Sequence, residues 1–160
     1  MIRAARAMLW AAASAAAALL ALCSLDHAAN ITFGVDLTLT YIQAKKEGGN
    51  VEVDEKIPAG VKSTLFKAFG TKYKKYTLIK TDERMAHMSQ DQEYDIPGGE
   101  EKLTVRVTGY KQLWINLLVT YKGKPDAFRI SHGNHHPLNL GPEPDPVIIV
   151  ITAKKVEIQT

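Results

Sequence analysis

The sequence predicts an α+β domain, built from a mainly antiparallel β-sheet or sandwich with one amphipathic helix after the first strand. Residues 31–41 alternate between apolar and polar side chains, which is the period of a half-buried strand. Residues 58–70 then change to the spacing of a helix. Later segments again alternate and are separated by turn residues. Because their connections are too short for parallel crossovers, most of the pairing is expected to be antiparallel.

The first 23 residues are predicted to be a secretory signal peptide. Arg3 and Arg6 precede an apolar run over residues 7–22, and no acidic residue occurs before Asp26. The alternatives are a membrane anchor and a buried helix, although this run is shorter than the ~20 residues that a membrane span needs. The run ends in "LALC", which loosely resembles a lipobox. Leu22 departs from that motif, so lipidation of Cys23 is the less favoured interpretation.

Removal of residues 1–23 would leave a short lead over 24–30 and a single β-rich domain over 31–160. That mature chain contains no cysteine, which excludes disulfides, thiolate nucleophiles and cysteine metal ligands. Loss of Arg3 and Arg6 leaves 18 basic and 17 acidic residues, a net charge of +1. The lysines are spread along the chain rather than concentrated, so nucleic-acid binding is not expected. The predicted location is the periplasm or the medium, with no transmembrane span in the mature chain.

The first strand and the helix have the clearest patterns. The odd positions from Ile31 to Tyr41 are all apolar, and "KKEGGN" at 45–50 ends the alternation. Within the helix, Pro58 suits the first position and Gly70 the position just past the end. One apolar stripe of this helix is predicted to pack on the sheet, and it comprises Val61, Leu65, Phe66 and Phe69.

Further strands are predicted from β-prone or alternating segments. They cover 76–81, which 84–89 follows or extends, then 103–108, 113–121 and 127–131, with a hairpin connection at 122–125. The proline-rich 141–146 is expected to be an extended lead into the final strand. That strand begins with "VIIVI" at 147–151, which is apolar on both faces and therefore suits the middle of a sheet or its most buried edge. The first and last strands are expected to pair centrally.

Several segments together resemble a group of small exported β-rich bacterial proteins of deltaproteobacterial type. They are "YIQA", "LFKAF", "YKKYTLI", "LWINLLVTYKGKP" and "VIIVIT", in that order. The resemblance extends over about residues 31–152 and concerns the overall pattern. It implies a location in the cell envelope and no particular reaction.

"SHGNHHPLN" places His132, His135 and His136 within one short stretch. Imidazole is a common ligand of Zn²⁺ and Cu²⁺, and a fourth ligand could come from His87, Asp91 or Asp126. The Gly, Asn and Pro content instead favours a polar, solvent-facing turn. Adjacent histidines on an extended chain would also point to opposite sides.

No motif of an enzyme is present. The chain has no "GxSxG" turn, and its paired glycines lack the spacing of a P-loop or a Rossmann turn. The acidic segments 81–84 and 89–95 are expected to be solvated hairpins. The sequence therefore predicts a non-enzymatic protein.

Trp114 lies on the face of its strand opposite the main apolar set. Two interpretations follow, namely that Phe66 and Phe69 of the helix cover this face, or that it is an exposed interface. The sequence as a whole predicts an exported binding or structural module whose partner is a protein in the cell envelope. The alternative is a periplasmic metal-binding protein that uses His132, His135 and His136. An exposed Trp114 would favour the first.

Overall fold

Two β-sheets and one helix form the part of the chain that the computed structural model describes, which is the backbone of residues 31–159 and the side chains of 33–158. The predicted signal peptide, Cys23 and the lead over 24–30 lie outside these residues. In chain order the elements are β1 (Ile31–Lys45), β2 (Glu52–Val53), α1 (Ala59–Phe69), β3 (Lys75–Ala86), β4 (Asp91–Asp95), β5 (Lys102–Lys111), β6 (Trp114–Tyr121), β7 (Lys124–Ser131), β8 (His135–Leu140) and β9 (Val147–Gln159).

The strands form a five-stranded sheet in the order β2-β3-β1-β9-β8 and a four-stranded sheet in the order β4-β5-β6-β7. The predicted antiparallel pairing is confirmed for β1–β3, for β8–β9 and throughout the four-stranded sheet. The short β2 pairs with β3 in parallel, and Met88 forms an isolated parallel bridge with Val107. The central pairing of β1 with β9 is also as expected, since they are neighbours in the five-stranded sheet.

The main core lies between the two sheets, as in a β-sandwich. The apolar side chains of this core come from alternate positions of the strands, because every second side chain of a strand points to the same face. Its members from β1 and β9 are Val35, Leu37, Leu39, Tyr41, Ile149, Ile151 and Ala153, which pack with apolar residues of β4 to β7.

The helix α1 covers the other face of the five-stranded sheet and makes a second core. Val61 and Leu65 of the helix pack with Ile42, Ile148 and Val150. The strand β9 is thus buried on both faces, with 149 and 151 toward one core and 148 and 150 toward the other. This arrangement explains why "VIIVI" is apolar throughout.

The prediction for Phe66 is wrong. Its side chain is 46% exposed, whereas Val61 and Leu65 are buried. A step of five residues rotates about 140° around a helix, so Phe66 lies away from the stripe that starts at Val61. Its ring meets only the margin of the core, edge-on to Tyr76 at 6.4 Å between centroids. The helix ends were close to expectation, with Pro58 and Gly70 flanking it as caps.

Two segments contain edge strands where the sequence predicts a solvent-facing turn and a solvated hairpin. The histidine segment contains a turn at 132–134, followed by β8, in which Pro137 is tolerated because an edge strand need not donate every backbone N–H. The acidic segment 89–95 contains β4, whose Tyr94 is buried in the main core. In both cases the tertiary contacts outweigh local turn propensity.

Candidate functional site

An apolar protrusion stands at the turn between β5 and β6. Gln112 and Leu113 form this turn, and Gln112 adopts a positive φ of 55°. Leu113 is 65% exposed and the adjacent Trp114 is 47% exposed. We call Leu113 and Trp114 the β5–β6 tip. Two large apolar side chains exposed side by side suggest a surface that another molecule covers.

The exposure of Trp114 follows from the alternation of β6. Ile115, Leu117 and Val119 point into the main core, which directs Trp114 and the other even positions to the outer face of the four-stranded sheet. The helix packs on the other sheet, so the interpretation that Phe66 and Phe69 cover Trp114 is wrong. The alternative, an exposed Trp114, agrees with the structure.

Hydrogen bonds hold the tip in place. The backbone N–H of His132 donates to the carbonyl of Leu113 at 2.6 Å, which joins the β7–β8 turn to the tip. Lys155 of β9 in turn donates its backbone N–H to Nδ1 of His132 at 3.0 Å. The tip is therefore anchored to both sheets, and little conformational freedom remains to be lost on binding.

A cationic and aromatic cluster lies beside this anchor. The ammonium of Lys155 is 3.7 Å from the ring centroid of Phe33 and 4.9 Å from that of Tyr110. The two rings meet edge-on at 5.9 Å. Both cation–π contacts orient the Lys155 side chain and keep a positive charge near the tip.

The outer face of the four-stranded sheet next to the tip is polar. Arg106 makes a bidentate pair with Asp91, at 2.6 and 2.7 Å, and this guanidinium lowers the pKa of the Asp91 carboxyl. Arg129 donates to the side-chain oxygen of Asn116 at 3.2 Å. An apolar centre with a polar surround is the usual composition of a protein interface.

The three histidines predicted as metal ligands have three different sets of contacts. His132 is held by Lys155, as described above. Nδ1 of His135 lies 2.6 Å from the hydroxyl of Thr152, on the side of the sheet that α1 covers. The ring of His136 stacks on Phe128 at 3.8 Å, on the side of the main core.

The structure does not bring these imidazoles together. Adjacent His135 and His136 point to opposite sides of β8, as expected for an extended chain. Within the described residues there is no group of three or more His, Cys, Asp or Glu side chains that could hold a metal ion. Burial lowers the pKa of both His135 and His136, and Asp126 opposes this shift at His136.

Glu143 is the centre of the most connected ionic cluster. Its carboxylate accepts from Lys72 at 2.7 Å, from Lys46 at 2.8 Å and from the hydroxyl of Tyr73 at 2.9 Å. Hydrogen bonds from Lys46, Lys72 and Tyr73 lower its pKa to about 2. This cluster joins the proline-rich lead of β9 to the segment after α1, which is a structural role.

Sequence reasoning identified Trp114 but missed Leu113, which was assigned to the inward face of a strand starting at 113. The structure places Leu113 in the turn. "YKQLW" contains no Gly, Asn or Pro at the turn, so the usual signal for a tight connection was absent.

No protein-family model, curated protein sequence or solved structure matches this chain. Between residues 31 and 159 no helix is both long and apolar enough to cross a bilayer.

Proposed function

We propose that this protein is an exported, non-enzymatic binding module of the cell envelope, and that a partner protein docks on the β5–β6 tip. The observation that carries the proposal is the exposure of the adjacent side chains Leu113 and Trp114 on an anchored turn. Tryptophan is among the residues most enriched at the energetic centres of protein interfaces. Export is supported by the sequence of residues 1–23.

The surroundings of the tip suggest the chemistry of the partner surface. A shallow apolar pocket would accept the indole and the leucine side chain. The positive charge of Lys155, whose backbone N–H donates to His132 next to the tip, favours acidic groups at the edge of that pocket. Since the tip is already fixed by hydrogen bonds, docking needs little reorganisation of this chain.

The test is affinity capture from the envelope fraction of the native host with three forms of the full chain. They are the wild type, the double variant Leu113→Ser/Trp114→Ser, and the control Phe66→Ser. Phe66 is also a large exposed apolar residue, but it lies on α1 and away from the tip. Urea unfolding would first establish that all three are folded.

The proposal expects one protein that the wild type and Phe66→Ser both retain and that the tip variant loses. Truncation of an interface centre commonly costs 2 kcal/mol or more, roughly a thirtyfold loss of affinity. Retention of the same proteins by all three forms would show that the tip is not the docking surface.

A further inference from the structure

A cavity of about 450 Å³ lies between the edge strands β7 and β8, where the sandwich is open to solvent. Its volume is within the range of about 300–1,000 Å³ that is typical of small-molecule sites. The cavity is distant from the β5–β6 tip. It lies at the C-terminal end of β6 and the N-terminal end of β7, whereas the tip is at the N-terminal end of β6.

The walls of this β7–β8 cavity are mostly apolar. Its apolar lining comes from Val119 and Tyr121 of β6 and from Leu138 and Leu140 of β8. They are inward-facing side chains of a core that is not completely filled at this edge, and Tyr121, Leu138 and Leu140 are only partly buried. Covering this apolar surface with an apolar ligand lowers the free energy, because the surface is removed from water.

The lining of the cavity includes the segment from His136 to Leu140 of β8. At the His136 end, the imidazole stacks nearly parallel on the ring of Phe128, with 3.8 Å between the centroids. From His136 to Leu140 the strand advances four residues, which is about 13 Å at roughly 3.3 Å per residue. The cavity is therefore a slot, suited to an elongated apolar group.

The charges differ between the two ends. At the end away from His136, Lys122 and Lys124 belong to the β6–β7 hairpin, where Lys124 pairs with Tyr121. Lys122 is 3.2 Å from Glu101. Lys124 has no ion pair among the described residues. Asp126 is exposed like Lys124 but is near enough to His136 to raise its pKa, so a negative group would be repelled from the His136 end.

We propose that the β7–β8 cavity binds a medium-chain carboxylate, that is, an unbranched anionic amphiphile. Its hydrocarbon chain lies along Val119, Leu138 and Leu140, and its carboxylate meets Lys124 at the mouth. The apolar walls favour the hydrocarbon chain of the ligand. The lysines at one end of the cavity and Asp126 toward the other fix the orientation in which the ligand binds. This site is independent of the proposed docking on the tip.

The test is calorimetric titration of the full chain with decanoate, below the concentration at which it forms micelles. Decanol tests the contribution of the charge, and decyltrimethylammonium tests its sign. Decanoate is expected to bind most tightly, decanol more weakly, and the cation most weakly. Equal binding of the anion and the cation, or no binding of decanoate, would overturn the proposal.

Two substitutions locate the binding. Lys124→Glu reverses an exposed charge at the mouth and should raise the dissociation constant of decanoate about fivefold or more, with little effect on decanol. Leu138→Trp fills the slot and should abolish binding of both. Lys67→Glu makes the same charge reversal on α1 and should leave decanoate binding unchanged.

If Leu138→Trp does not fold, Lys124→Glu still decides the matter, because the side chain of Lys124 is exposed. An unchanged dissociation constant in Lys124→Glu, or the same loss in Lys67→Glu, would exclude the proposed orientation. Retained binding in a folded Leu138→Trp variant would exclude the site itself.

Discussion

Nδ1 of His135 lies 2.6 Å from the hydroxyl of the buried Thr152, and the opposite edge of the same imidazole touches Gly60 in the first turn of α1. His135 thus fills the space between the helix and the five-stranded sheet. Burial and the nearby charge of Lys154 lower its pKa. The positive end of the helix dipole at Gly60 also disfavours an imidazolium.

Stability is expected to fall as the pH is lowered through the range where histidine titrates. In the unfolded chain the pKa of histidine is about 6.5, and in the folded protein that of His135 is lower. Below about pH 6.5 the unfolded state therefore binds more protons, which reduces the free energy of unfolding until the folded pKa is passed. Urea unfolding across this range should show a smaller loss for His135→Gln than for the wild type. Parallel pH profiles of the two proteins would contradict this assignment.

Gly60→Ala is expected to destabilise the protein although alanine is the better helix former. A Cβ at Gly60 would overlap Nε2 of His135. Overpacking of this kind typically costs about 1–3 kcal/mol, and over most of this range the cost is larger than the ~1 kcal/mol gained from helix propensity.

Denaturant unfolding of a double-mutant cycle would identify the cause of this effect. In a His135→Ala background the overlap is removed, so Gly60→Ala should become neutral or stabilising. Gly49→Ala is the control, since a Cβ there meets nothing within 4 Å. An equal cost of Gly60→Ala in both backgrounds would show that His135 is not the obstacle.

Leu65→Ala and Leu113→Ala are expected to differ widely in their effects on stability. Leu65 is 1% exposed in the second core, so its truncation should cost about 2–5 kcal/mol. Leu113 is mostly exposed, and its truncation should change the free energy of unfolding by less than about 0.5 kcal/mol. Chemical denaturation measures both. A large loss in Leu113→Ala would mean that the tip is needed for folding, which would weaken the docking proposal.

The carboxyl of Glu143 is expected to titrate far below an ordinary glutamate. Three hydrogen bonds lower its pKa to about 2, and Lys72 supplies one of them. Carbon-13 NMR of the side-chain carboxyl in an acid titration would measure this value. In Lys72→Met the pKa should rise toward the ordinary value of about 4.3, whereas Lys75→Met, which removes a lysine paired with Glu52, should leave it unchanged. An ordinary pKa in the wild type would show that the cluster does not form in solution.

The regular elements were largely predictable because burial imposes a period on the sequence. Alternation identified β1, β5 and β6, the hairpin connection at 122–125 indicated β7, and the run of apolar residues in β9 indicated layers on both sides. The edge strands β4 and β8 were missed. An edge strand faces solvent on one side and makes fewer ladder contacts, so polar residues and Pro137 are tolerated there and the pattern resembles a turn.

The candidate sites were less predictable, because they depend on distances between segments that are far apart in the chain. The sequence placed three histidines close together, yet the alternation of β8 and the contacts of His132 with Lys155 separate their rings. Conversely, nothing in the sequence indicated a cavity. The β7–β8 cavity exists because two consecutive strands belong to different sheets.

By itself the sequence determined most of the sandwich-forming strands, the helix and, apart from Phe66 and Leu113, the faces that are buried, because burial imposes a repeat on the side chains of each element. Only the tertiary structure decided which sheet the helix covers. The helix packs on β9, which is apolar on both faces, and on the end of β1 at Ile42 and Ala44, and it therefore leaves Trp114 on the other sheet exposed. A local pattern specifies that one face of an element must be buried. Which other element buries that face is decided by the packing of the whole chain.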